Sequence, residues 1–296
     1  MLFACKNDSK NSEAAKESEP LSVVTTTTMI TDMVKVIGGD KIKVEGLMGS
    51  GVDPHLYKAS EGDVTKLTNA DIIIYNGLHL EGKLQDIFKK MQQNKKVVQL
   101  SESIYPSQLI ASENFASSFD PHIWFNVDYW IACVRYAATE LSKMDKENEA
   151  YFSARATAYI EGLKKLKEDN NKLVAELPEE KRILVTAHDA FNYFGQAYSF
   201  EVVGLQGLST ATEAGVKDVQ NLATLIIDKK VKAIFVETSV PKRTIEALKE
   251  AVKAKGGEVA IGGELFSDAL GTPETPEGTY VGMYNHNMST IVNALK

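Results

Sequence analysis

The stretch Glu147–Glu176, ENEAYFSARATAYIEGLKKLKEDNNKLVAE, decides the architecture. It is rich in Ala, Glu, Lys and Leu, has no proline, and contains a single glycine, Gly162. At 1.5 Å per residue it predicts a helix of roughly 45 Å, longer than one compact lobe requires. Such a helix can join two lobes and limit how far they swing apart. It can also be a plain core element.

On either side of it the same plan repeats. Upstream, short β-rich runs at Leu21–Thr27, Ile42–Met48, Asp71–Tyr75 and Val97–Leu100 alternate with helical patterns at Met29–Ile37, Ser60–Asn69 and Gly82–Gln92. Ser60 with Asp63 forms a capping-box signature. Downstream, strands are expected at Arg182–Thr186, Glu201–Leu205, Lys232–Val236 and Glu258–Ile261. Helices are expected at Ala190–Tyr198, Gly215–Lys229, Pro241–Lys255 and Thr279–Leu295. Strands alternating with helices of this length mean βαβ units and parallel sheets. Gly262-Gly263 reads as a turn and Gly204-Leu205-Gln206-Gly207 as a strand exit. The expectation is an α/β protein with two parallel-sheet lobes, residues 21–145 and 179–296, joined by one long rigid helix at 146–178.

Composition agrees. The 296 residues are 44% hydrophobic and 25% charged, which suits a globular chain of two lobes. A net charge of −7 argues against a nucleic-acid-binding surface. No run approaches the ~18 apolar residues of a membrane span. Two cysteines, Cys5 and Cys133, supply neither a disulfide scaffold nor a thiolate metal cluster. Cys133 lies in an apolar helical pattern and reads as a buried small hydrophobe.

The five histidines carry the chemistry. Asp-Pro-His occurs twice, as Asp53-Pro54-His55 and Asp120-Pro121-His122, where composition predicts roughly 0.007 occurrences by chance. Proline fixes its own φ and extends the residue before it, so each motif presents its histidine from a stiffened loop. The carboxylate two residues back could orient the ring, as such groups do for metal-ligating imidazoles. His188 follows the strand at Arg182–Thr186, and Asp268 follows the one near Glu258–Ile261. All four positions lie past carboxyl ends of strands, two in each half, where open α/β sheets bind ligands. Three nitrogens and one oxygen suit tetrahedral Zn²⁺, and a bidentate Asp would suit Mn²⁺ or Fe²⁺. Ligands so far apart carry no spacing rule, so this placement nominates the four without assembling them. His79 reads as a helix-start or lobe-packing residue, and His286 as a hydrogen-bonded packing histidine on the last helix.

Gly51-Val52-Asp53-Pro54-His55, Phe119-Asp120-Pro121-His122-Ile123-Trp124, Val185-Thr186-Ala187-His188-Asp189-Ala190-Phe191 and Gly262-Gly263-Glu264-Leu265-Phe266-Ser267-Asp268 resemble the metal-binding lipoproteins of bacterial ABC importers, the TroA-like or cluster A-I solute-binding family. The resemblance runs from about Val23 to the C-terminus. It implies two α/β lobes joined by a long helix, with zinc, manganese or iron held between them and delivered to an ABC permease and its ATPase. Carried over by motif, the ligands are His55, His122, His188 and Asp268. Manganese members often carry Glu at the position of His188, which tilts this site toward nitrogen ligands. The His- and acid-rich loop of many zinc importers is missing. These clues conflict, and the expected cargo is Zn²⁺ or Mn²⁺, with Fe²⁺ as a further candidate.

Met1-Leu2-Phe3-Ala4-Cys5 is similar to the end of a bacterial lipoprotein signal, although Phe3 is bulkier than usual. Lys6–Pro20, KNDSKNSEAAKESEP, has no large apolar side chain and reads as a flexible tether. With an extracytoplasmic fold expected, Cys5 reads as a lipid anchor that holds the protein to the cell membrane. The partners expected are the metal, the permease with its ATPase, and the membrane; the chain itself is expected to be a monomer. Two other functions compete with metal capture for transport. A zinc hydrolase would use the three histidines as ligands and Asp268 or Glu264 as base, but no motif fixes an open water position or a second carboxylate. A surface adhesin finds no independent support in the sequence.

Overall fold

The computed structural model describes residues 19–112 and 119–296, so Cys5 and most of the tether lie outside the described residues. The N-terminal lobe runs β1 (Leu21–Thr25), α1 (Thr28–Gly38), β2 (Ile42–Gly46), α2 (Glu61–Asn69), β3 (Ile72–Tyr75), α3 (Gln85–Met91), β4 (Lys96–Gln99) and α4 (Val127–Met144). Then comes α5 (Glu149–Ala175). The C-terminal lobe runs β5 (Ile183–His188), α6 (Asn192–Tyr198), β6 (Glu201–Gln206), α7 (Val216–Asp228), β7 (Ala233–Glu237), α8 (Arg243–Ala254), β8 (Ala260–Leu265) and α9 (Tyr280–Leu295).

Each lobe holds one parallel four-stranded sheet. The orders are β2-β1-β3-β4 and β6-β5-β7-β8, the same topology twice. Central strands are buried on both faces, which is why β3 reads Ile-Ile-Ile-Tyr and β7 opens Ala-Ile-Phe-Val. Ser60 caps α2 through the capping box with Asp63 anticipated from the sequence.

One reading needs correction. Gly262-Gly263 is not a turn but lies inside β8, beside a register shift at Ile234/Phe235. A Cβ on Gly262 would sit 2.7 Å from both Phe235 and Ala294, so the strand passes too close to its neighbours for a side chain. Around Cys133 the helical pattern is part of an 18-residue helix, α4, and the cysteine is fully buried in the core.

The 27-residue α5 buries Phe152, Ala156, Ile160, Leu163, Leu166, Asn170 and Val174 along one stripe. It packs on α1, α4 and α9 and therefore touches elements of both lobes. Separate clusters cover the outer faces: Val24, Leu67, Ile73 and Phe88 on the first sheet, Val185, Ile226, Ile234 and Leu248 on the second. The largest core crosses the seam. It includes Met33, Trp124, Trp130 and Phe152 together with Phe191, Phe194, Tyr280 and Tyr284. Trp130 stacks on Tyr280 at 5.1 Å, and the Tyr280 and Tyr284 hydroxyls donate to the carbonyls of Trp124 and Phe125 at 2.7 and 2.8 Å. Among the described residues no helix is long and apolar enough to cross a membrane.

Candidate metal centre

Both Asp-Pro-His motifs fold as tight turns. Asp53 Oδ1 accepts the His55 N–H at 2.8 Å, and Asp120 Oδ1 accepts the His122 N–H at 2.8 Å. His55 stands in the irregular segment after β2. His122 opens a short 3₁₀ turn, Ile123–Phe125, that leads into α4. His188 is the last residue of β5 itself, and Asp268 comes three residues beyond β8.

The four meet at the seam. One ligand atom from each of His55, His122, His188 and Asp268 lies within 4.8 Å of all the others, and all four residues are buried. Nε2 of His55 and His188 stand 3.6 and 3.3 Å from Asp268 Oδ2, and Nε2 of His122 stands 3.7 Å from Oδ1. Four ligands bound tetrahedrally at 2.0–2.1 Å would be roughly 3.3–3.5 Å apart. Nε2 of His122 and His188 and both Asp268 oxygens are buried without a hydrogen bond among the described residues. Buried polar atoms are ordinarily bonded, and a cation between these would satisfy them together.

The sequence model of the family described as zinc-uptake complex component A, periplasmic, matches residues 23–294. The chain belongs to this family. The manganese-binding lipoprotein MntA of Bacillus subtilis is 46% identical over 295 residues, spanning 100% of this chain and 95% of its own length. The zinc-binding protein TroA of Treponema pallidum is 50% identical over 283 residues, spanning 96% and 91%. The solved structure of periplasmic zinc-binding TroA from that organism superposes with a TM-score of 0.91 over 93% of this chain and 99% of that one.

In this member of the zinc-uptake component A family, carboxylates brace two of the rings. His122 Nδ1 lies 2.7 Å from Asp120 Oδ1, as the motif suggested. His188 Nδ1 lies 2.5 Å from Glu237 Oε2, while its N–H donates to Glu237 Oε1 at 2.9 Å. Each bond keeps a proton on Nδ1 and aims Nε2 at the centre, the orientation in which a deprotonated Nε2 coordinates metal. Asp53 is used differently: its second oxygen accepts the Thr210 hydroxyl from the other lobe at 2.5 Å.

Charge is concentrated here. Asp120, Glu237 and Asp268 are at most 1% exposed. Burial and the neighbouring rings push the His55 imidazole down to about 3, although Asp268 pulls the other way. Burial also acts to lower His188, but the Glu237 and Asp268 carboxylates outweigh it and hold that ring well above its usual value. Burial opposes ionisation of Asp268, yet the three histidines keep its carboxyl well below the carboxylate range. Such a site suits a cation.

Glu237, Trp124 and Glu81 escaped the sequence reading. Glu237 ends an otherwise apolar strand, which was the available signal. Trp124 Nε1 donates to the Ser267 carbonyl at 3.0 Å and steadies the segment bearing Asp268. Buried Glu81 accepts from Thr26 Oγ1, Asn76 N and Gly77 N at 2.7, 2.9 and 3.2 Å. Asn76 Nδ2 in turn donates to the Pro121 carbonyl beside His122 at 2.9 Å. The loop so held has three successive positive φ values, 89° at Gly77, 51° at Leu78 and 64° at His79. His79 therefore sits in a left-handed turn ahead of α3 rather than at a helix start. His286 bonds the Glu264 carbonyl at 3.0 Å and contacts Phe266, a packing role.

Proposed function

We propose that this chain is the extracytoplasmic solute-binding component of an ABC importer. It captures Zn²⁺ or Mn²⁺ between lobes at 21–145 and 179–296, with 146–178 as the linking helix, and hands the ion to a permease served by an ATPase. His55, His122, His188 and Asp268 are the ligands. One observation carries the reading: two imidazoles from one lobe, and an imidazole and a carboxylate from the other, aim buried lone pairs at one point. Because Asp268 faces the rings with both oxygens, it can bind through one or two. The site then serves tetrahedral zinc or five-coordinate manganese, and Fe²⁺ by the same donors. The relatives named for zinc and for manganese support that breadth.

The protein acts as a monomer, tethered by a lipid on Cys5 through residues 6–20; the lipoprotein relative supports the anchor. Elemental analysis and competition titration of Zn²⁺ against Mn²⁺ test the main reading. Wild type should hold one ion per chain with submicromolar affinity, and alanine at all four ligands should hold none. A wild type that binds neither ion below micromolar sinks the proposal. Mass spectrometry of protein from bacterial membranes, with Cys5→Ser as control, tests the anchor.

A further inference from the structure

The two Asp-Pro-His turns share one bonding scheme with different backing. In each, one aspartate oxygen holds the histidine N–H and the other reaches across the seam. Asp120 Oδ2 accepts from Asn192 Nδ2 at 3.0 Å, and the Asp120 carbonyl also accepts the Tyr193 hydroxyl at 3.0 Å. Both donors belong to α6, and Asp120 braces the His122 ring besides.

Asp53 has a less rigid partner. Thr210 stands in the 207–215 segment between β6 and α7, which contains neither helix nor strand. Asp53 stands in an equally irregular segment after β2. Ser50, bonded to the Leu270 carbonyl at 2.8 Å, and Tyr57, bonded to Asp63 at 2.7 Å, fasten that segment on either side. The Ser50 bond crosses the seam three residues ahead of the motif; within the Asp-Pro-His turn itself, the Asp53–Thr210 bond is the one that crosses. His55 is also the most exposed of the four, at 5% against 0–1% for the rest.

We propose that Thr210 is a positioning residue, a latch that holds Asp53 and with it His55 in the closed cleft, so that the 207–215 segment governs how fast the ion leaves. The inference rests on the metal-receptor reading above. An ion held by four protein donors exchanges only after one donor withdraws. Releasing the Thr210 hydroxyl frees the His55 turn without disturbing either sheet or the shared core. His122 and His188, braced by Asp120 and Glu237, stay in place.

The test is zinc dissociation into excess chelator, followed by stopped flow on the Zn²⁺-loaded protein. Thr210→Val keeps the shape and removes the hydroxyl. A hydrogen bond to a charged acceptor is at stake, so zinc should leave roughly tenfold faster or more. The melting temperature of the metal-free protein should not change, and Thr210→Ser should restore the slow rate. In an Asp53→Ala background, Thr210→Val should add nothing further. An unchanged off-rate in Thr210→Val, effects that add, or a fall in metal-free stability that accounts for the loss would each overturn the latch. A wild type that retains no zinc would instead overturn the receptor reading beneath it.

Discussion

Glu237 Oε2 lies 2.5 Å from His188 Nδ1, and Glu237 Oε1 accepts the N–H of the same residue at 2.9 Å. One carboxylate from β7 thus fixes both the backbone and the ring of a residue on β5. Removing an outer carboxylate of this kind ordinarily weakens metal binding 10–100-fold. Glu237→Ala should therefore lose roughly that factor in Zn²⁺ affinity while all four proposed ligands remain, as read by competition titration. Affinity equal to wild type would show that the pair does not orient the ring.

The two lobes meet the solvent proton differently. His55, held near 3, is neutral at neutral pH, whereas His188, held well above its usual value by Glu237 and Asp268, keeps a second ring proton. Coordination needs the neutral ring, so the ion must displace the proton on His188. Affinity should therefore rise as pH increases through neutrality, with roughly one proton released per ion. Calorimetry in buffers of different ionisation heat measures that number; a value near zero contradicts the assigned charge states.

Converting the site toward oxygen ligands should take two changes. His188→Glu alone sets a second carboxylate against Glu237, and two buried acids that close cannot both ionise. The single variant should bind both Zn²⁺ and Mn²⁺ worse than wild type. Adding Glu237→Gln supplies a donor, restores binding and shifts the Mn²⁺/Zn²⁺ ratio toward manganese. Competition titration of the single and double variants decides it, and a fully functional single variant refutes the argument.

Gly77 has a φ of 89°, and a Cβ there would lie 2.3 Å from Gln99 Cγ. Gly77→Ala combines strained backbone with a clash, which costs about 2 kcal/mol or more. Chemical denaturation of the metal-free protein should show that loss. Metal affinity should fall with it, because the loop is tied through Asn76 to the turn bearing His122.

Much of this was legible in the chain. The repeated apolar runs and the uninterrupted helix foretold both sheets and α5, because buried parallel strands and long helices leave strong local patterns. The proline turns and strand ends nominated the four residues that the fold brings together. Glu237 was not legible because its partner is 49 residues away and pairing between β5 and β7 alone joins them. Trp124 and Thr210 were missed for the same reason: each acts across the seam, and no local pattern records a contact with the opposite lobe. Gly262-Gly263 misled because close packing and chain reversal both call for glycine.

The aromatic seam of Trp124, Trp130, Tyr280 and Tyr284 makes the halves interdependent in stability as well as in space. A half-chain cut at α5 would leave this surface bare and could not serve as a free-standing module. A substitution at Trp130 would therefore be felt at Tyr280, the ring it stacks on from the opposite lobe.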